Sequence, residues 1–214
     1  MEARRAARVL HAQHMTFDLC YTSLLSRAAD TVKIVLQTMG QESIPVHTSW
    51  RLNERHYGAL QGLTWWEAST RYGTKQVLTW QRHFSAKPPE LTRNDPRFPG
   101  NDSCYATVEP QDLPCSESLE DTQNRLVPYW RTEIFPSLLQ DRNILIIAHQ
   151  NSLRSLLKYL AGISDQDIRK VTLKTAEPVI CKFDEKGNFA GYSYLRWRPK
   201  IQDYAHRLLH VILP

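Results

Sequence analysis

The chain is short of several things that mark whole classes of protein. It has 4 cysteines in 214 residues, at Cys20, Cys104, Cys115 and Cys181, and no two have CxxC spacing. A chain of this size needs no disulfide staples, and the cysteines read as free thiols in a reducing cytosol. No apolar run approaches the roughly 20 residues of a membrane-spanning helix. The N-terminal stretch MEARRAARVLHAQH lacks the apolar h-region of a secretory signal, so a cytoplasmic protein is expected. Glu2 and the lack of serine there also argue against a transit peptide. There is no internal repeat, no low-complexity tract and no run of about 5–8 Lys/Arg. The surplus of 27 Lys+Arg over 22 Asp+Glu, a net charge of +5, is scattered. Scattered positive charge attracts anions in general but is not a nucleic-acid footprint, so neither nucleic acid nor membrane is expected as a partner.

What remains, 42% hydrophobic and 23% charged residues, is a globular composition of a size that suits one domain over 1–214. The periodicity predicts a helix over 2–14, a strand over 18–23, a helix over 26–39 stopped by Gly40, and a strand over 46–50. Residues 51–62 read as a loop, with helices near 64–72 and 74–84. Residues 85–114 carry Pro88, Pro89, Pro96, Pro99, Pro110 and Pro114 and read as a long irregular excursion. Ser118-x-x-Asp121 resembles a capping box opening a helix to about Leu139, bent at Pro128 and Pro136. Residues 143–148 (NILIIA) are continuously apolar, as in a strand buried on both faces. A helix over 152–160 and a hairpin of strands 178–183 and 189–195 follow. Strands alternating with helices predict an α/β sandwich with a mostly parallel sheet and one antiparallel edge, residues 51–114 forming an insertion at one end. Ligands in such folds bind where strands end, which singles out residues 22–27, 51–58 and 149–152.

Each of these segments carries chemistry. His149 follows the most buried strand and opens a helix, where free backbone N–H groups favour an anion and a histidine can donate to an oxyanion. A satisfied structural histidine and an N-cap Ser152 fit the same residues. Residues 51–58 (RLNERHYG) gather Arg51, Glu54, Arg55, His56 and Tyr57. Arg and His supply charge-assisted bonds to phosphate and Glu54 can move a proton, while a surface loop with an Arg–Glu pair is the plainer reading. Arg27 lies just past the 18–23 strand, either beside the same site or solvated.

RLNERHYG at 51–58, CYTS at 20–23 followed by Arg27, PCSESLEDT at 114–122 and NILIIAHQNSLR at 143–154, in this order, resemble cofactor-dependent phosphoglycerate mutase of the histidine phosphatase superfamily. The resemblance runs from the first residue to about Phe183. It implies a three-layer α/β fold, usually dimeric, cytosolic and glycolytic. The reaction it implies is interconversion of 3-phosphoglycerate and 2-phosphoglycerate through a phosphohistidine, primed by 2,3-bisphosphoglycerate, without metal. By the same resemblance His149 is the second active-site histidine, Glu54 the proton donor and acceptor, and Arg27 the phosphoryl-binding arginine. Arg55, His56, Tyr57 and the amide of Asn151 fall where substrate, a phosphorylated three-carbon acid, is bound. Phosphoryl transfer asks mainly for positioning and positive charge around the moving oxygens.

The sequence departs from that family at four places. The family opens with a strand leading into Arg-His-Gly-Glu, whose histidine is the nucleophile, and no such segment occurs here; the first strand is expected to be missing. The Arg-His steps present are Arg55-His56 and Arg82-His83. A substrate-pocket lysine corresponds to Trp65, paired arginines correspond to Ser103 and Cys104 ahead of Tyr105, and a glycine has become Gln150, expected to crowd the phosphate site. Three lost cationic partners at about 1.5–3 kcal/mol each would lower binding by roughly 4–9 kcal/mol as an upper range. A central strand that is missing would leave two bare strand edges. Two readings follow: upstream sequence supplies the segment, or the chain is a diverged, inactive copy serving as a phospho-ligand module or as a dimer partner, homodimeric or with an active mutase paralogue. A phosphatase would need the same nucleophile.

Overall fold

The computed structural model describes residues 2–195 and 209–214. Helix α1 (Glu2–Ala12) and α2 (Ser26–Met39) flank strand β1 (Leu19–Thr22), followed by β2 (Val46–Thr48). The inserted segment holds α3 (Trp65–Tyr72) and α4 (Thr74–Arg82), then short 3-10 turns through the proline-rich excursion. Helix α5 (Leu119–Tyr129), a π-helical stretch (Trp130–Ile134) and α6 (Phe135–Leu139) lead to β3 (Ile144–Ile147) and α7 (Gln150–Ala161). The hairpin β4 (Val179–Phe183) and β5 (Phe189–Tyr194) and the strand β6 (Leu209–Leu213) complete the described elements.

Two of the local signals read from the sequence, Gly40 and Ser118 with Asp121, bound elements here. Gly40 takes φ +67 and returns its N–H to the carbonyls of α2's last turn. Ser118 and Asp121 form a reciprocal capping box on α5, as expected, and Thr64 with Glu67 forms another on α3. The long helix expected from Ser118 to Leu139 is interrupted where Pro128 and Pro136 cannot donate, and the chain takes up the mismatch as a π-helical turn. Ser152 is not an N-cap: α7 begins two residues earlier with His149 at that position, and Ser152 instead donates its hydroxyl to the His149 carbonyl at 3.1 Å.

Six strands lie in the order β2-β1-β3-β6-β4-β5. The β1–β2, β1–β3 and β3–β6 pairs are parallel; β4 is antiparallel to both β5 and β6. Alternate residues of the strands face opposite sides. Cys20, Leu145, Ile147, Val211 and Leu213 pack against α1 and α2 through Ala6, Leu10, Val32 and Val35. Leu19, Tyr21, Ile144, Ile146 and Ile212 pack on the other side against Leu126, Trp130, Leu153 and Leu156 of α5, the π-helical stretch and α7. This is the three-layer sandwich, and it explains why NILIIA is apolar throughout: both faces of β3 are covered.

The expectation of bare strand edges in mid-sheet is corrected. β3 and β4 are bridged by β6, whose residues Val211, Ile212 and Leu213 pair with Leu145, Ile146 and Ile147. The sequence reading placed no element at 209–213.

Candidate active site

The site is assembled where β1 and β3 end. The two strands are parallel and in register, Thr22 opposite Ile147, so the residues just beyond them emerge side by side. Ser23 Oγ lies 2.7 Å from His149 Nε2, and Arg27, in the first turn of α2, donates Nε–H to His149 Nδ1 at 3.1 Å. A guanidinium only donates, so Nδ1 is the acceptor, the ring proton sits on Nε2 and the Ser23 hydroxyl receives it. Ser23 Oγ also takes the Leu25 N–H at 3.2 Å. Burial, with the charges of Arg27 and Arg125 behind it, pushes the His149 pKa down to about 3, so the imidazole is neutral.

The loop after β2 supplies the carboxylate. Glu54 Oε1 accepts the amides of Arg55 at 2.9 Å and of Asn151, in the first turn of α7, at 3.2 Å. Burial raises the Glu54 pKa against the opposing pull of these amides and of Arg27, which suits a group that holds and releases a proton. Asn151 donates its Nδ2 to Tyr57 Oη at 2.9 Å and receives Arg154 Nη1 at 3.0 Å. Arg55 stacks over the Tyr57 ring at 4.7 Å, spends Nε on the Glu117 carbonyl and Nη2 on that of Trp80, and keeps Nη1 buried with no partner among the described residues. His56 shapes the loop: its amide donates to Glu117 Oε2 at 2.8 Å and its ring Nδ1 accepts the Gly58 N–H at 3.1 Å. Burial lowers its pKa, so it presents no cation. Gly58 has φ +55, and a Cβ there would run into the Pro89 carbonyl and Ser116, so only glycine lets the excursion dock on this loop.

The support beneath the loop was not visible in the sequence. Arg125 of α5 is buried and pairs with Glu117 at 2.5 Å, while its other donors reach the carbonyls of Arg51 at 2.6 Å and Asn53 at 2.9 Å. Ser23 and Asn53 were also missed as site residues. Their roles rest on bonds to residues far away in the chain, and only their places inside CYTS and RLNERHYG hinted at them.

Arg27, Asn53, Glu54, Arg55, Tyr57 and Tyr105 face a cavity of about 770 Å³ roofed by the proline-rich excursion. Ser103 lines it as well. Gln150 does not crowd this space: its side chain turns to donate Nε2 to the Leu173 carbonyl at 2.9 Å, correcting the expectation from sequence. Trp65 stands 46% exposed at the start of α3 and is not among the cavity's walls. All four cysteines are free thiols. No helix among the described residues is long and apolar enough to cross a membrane.

The family model of the histidine phosphatase superfamily (branch 1) matches residues 1–191. The 2,3-bisphosphoglycerate-dependent phosphoglycerate mutase of Hamiltonella defensa is 43% identical over 195 residues, covering 91% of this chain and 78% of that protein. Its counterpart from Buchnera aphidicola is 43% identical over 194 residues, covering 91% and 84%. Among solved structures, Bacillus stearothermophilus YhfR superposes with a TM-score of 0.63 at 20% identity, covering 88% of this chain and 77% of that one. A putative alpha-ribazole-5'-P phosphatase from Escherichia coli gives 0.62 at 20%, covering 93% and 84%. The structural likenesses carry the fold; the sequence matches carry the kinship. The chain belongs to the histidine phosphatase superfamily and, within it, to the 2,3-bisphosphoglycerate-dependent phosphoglycerate mutases.

Proposed function

We propose that this site binds a phosphorylated three-carbon acid and carries the holding and proton-transfer half of the interconversion of 3-phosphoglycerate and 2-phosphoglycerate. Arg27, which also fixes the neutral His149 ring, faces the phosphoryl oxygens, Arg55 offers its unpartnered Nη1 to the anion, Tyr57 lines the wall with Asn151 bonded to its hydroxyl, and Glu54 is the group placed to take the proton of the substrate hydroxyl. The observation that carries the reading is the placing of Glu54, a half-buried carboxyl with a raised pKa, on the amide of Asn151, two residues beyond a histidine pinned by Arg27. 2,3-Bisphosphoglycerate, on which the relatives depend, would bind here as an anion and would supply a phosphoryl group only to a nucleophile that these residues do not provide. The donors that face the cavity suit such an anion, and Arg27 and Arg55 would hold it.

In this reading neither site histidine takes the phosphoryl group. His149 has both ring nitrogens engaged, and His56 is buried in the fold of its own loop. Arg-His-Gly-Glu does not occur in the 214 residues. We infer that these 214 residues by themselves bind without turning over, and that they pair with a second mutase-type subunit, a second copy or a paralogue, in the cytoplasm. The exposed edge strand β2 favours such pairing.

The test is calorimetric titration of the purified polypeptide with 3-phosphoglycerate, and incubation with 2,3-bisphosphoglycerate. Saturable binding that Arg27→Ala weakens at least tenfold, with no acid-labile phosphoprotein and no mutase turnover, is expected. A phosphohistidine formed on this chain, or an absence of binding, overturns the reading.

A further inference from the structure

The Asn53 side chain hydrogen-bonds both the excursion roofing the cavity and the strand end beneath it. It is 7% exposed. Its backbone is fixed on both sides, the N–H donating to the Trp50 carbonyl and the carbonyl receiving Arg125. Its side chain receives the Leu24 amide on Oδ1 at 3.0 Å and lies 2.7 Å from the Tyr105 hydroxyl through Nδ2. Chemistry settles which way the amide faces. The Leu24 N–H can only donate, so it must meet the oxygen, and the nitrogen must then face Tyr105. An NH₂ group can only donate, so the Tyr105 oxygen is an acceptor in this bond and its own proton is left for another group.

No other hydrogen bond of that hydroxyl exists among the described residues, and Tyr105 is a wall of the cavity that also holds Arg27, Glu54 and Arg55. Its ring is fixed by Phe98 and Leu113 and by Leu24, Leu25 and Trp50 beneath, so the hydroxyl has little freedom to turn elsewhere.

We infer that Tyr105 is a ligand-binding residue, donating its hydroxyl proton to an oxygen of the bound phosphorylated acid, and that Asn53 is the positioning residue that forces the proton in that direction. The inference rests on the proposed function, because it takes its ligand from it. Leu24 follows Ser23, the residue bonded to His149, so the same asparagine fixes the ligand donor and the strand end that carries the histidine's partner.

The test is a double-mutant cycle on the affinity for 3-phosphoglycerate, read by calorimetry on the full chain. Tyr105→Phe removes the proton and is expected to weaken binding about tenfold. Asn53→Asp still accepts Leu24 but now accepts from Tyr105 as well, reversing the bond and consuming the proton. It is expected to weaken binding to a similar degree, partly by its added charge. The double variant should bind less weakly than the product of the two single effects, because the proton can be lost only once. Melting temperature and tryptic cutting at the exposed Arg93 and Arg97, without ligand, should stay near wild type in Asn53→Asp, whose roof remains bonded. Unchanged affinity in Tyr105→Phe overturns the inference for Tyr105. Strict additivity in the cycle, or a loss of affinity that follows faster tryptic cutting, overturns it for Asn53 by making the pair a mere roof latch. Wild type that fails to bind 3-phosphoglycerate sinks the proposed function and this inference together, a pattern that neither variant result imitates. Should Tyr105→Phe fail to fold, Asn53→Asp alone still decides: affinity equal to wild type overturns the inference.

Discussion

His149 is kept neutral by its surroundings, and this has a consequence for stability with a definite sign. The unfolded chain binds a proton on this ring near 6.5, while the folded protein does not until about 3. A depressed pKa of this kind leaves stability intact above the unfolded value and removes it as pH falls through the interval, by at most about 1.4 kcal/mol per pH unit. Chemical denaturation at pH 7, 6, 5 and 4 should show this loss, and His149→Gln should flatten it. An identical slope in the variant would mean that the titration lies elsewhere. Glu54 is shifted the other way, upward, so its ionisation costs stability as pH rises and its protonated form is the one the fold favours.

At the scale of elements, β6 is the piece on which the sheet depends. Val211, Ile212 and Leu213 are each at most 2% exposed, with Ile212 in one apolar layer and its two neighbours in the other. Ile212→Ala should therefore cost roughly 2–5 kcal/mol, whereas Val46→Ala on the exposed edge strand should stay within about 0.5 kcal/mol. Urea midpoints at constant m-value would measure the contrast, and equal effects would refute the central position of β6. This strand also marks where reading the sequence stopped working. β1, β3, α2 and the β4–β5 hairpin were legible because alternation, continuous apolarity and turn residues act locally. LHVIL is a short apolar run whose state is decided by a slot between two strands far upstream, and nothing local encodes the slot. The same holds inside the site. Glu54, Arg27 and His149 lie in recognisable segments, but the bond between Ser23 and His149 spans 126 residues, and Arg125 sits in an ordinary amphipathic helix.

For the whole molecule, the two apolar layers share one sheet, so they should unfold together, reported by near- and far-ultraviolet circular dichroism as coincident transitions. The excursion over the cavity stands apart. Its buried side chains Phe98, Tyr105 and Leu113 form a small cluster of their own, held to the body by partly buried residues. Local opening of such a unit costs less than global unfolding. Trypsin at low urea should therefore cut first at Arg93 and Arg97, and bound phosphoglycerate should slow that cutting. First cuts within the sheet's helices would show that the roof is as firmly held as the core.

The place of β6 between β3 and β4 also orders events on the ribosome. β3 leaves the exit tunnel some sixty residues ahead of β6, so in the interval the nascent chain carries β3 and β4 with open hydrogen-bonding edges. That window, rather than any property of the finished molecule, is where misassembly and the need for a chaperone would concentrate.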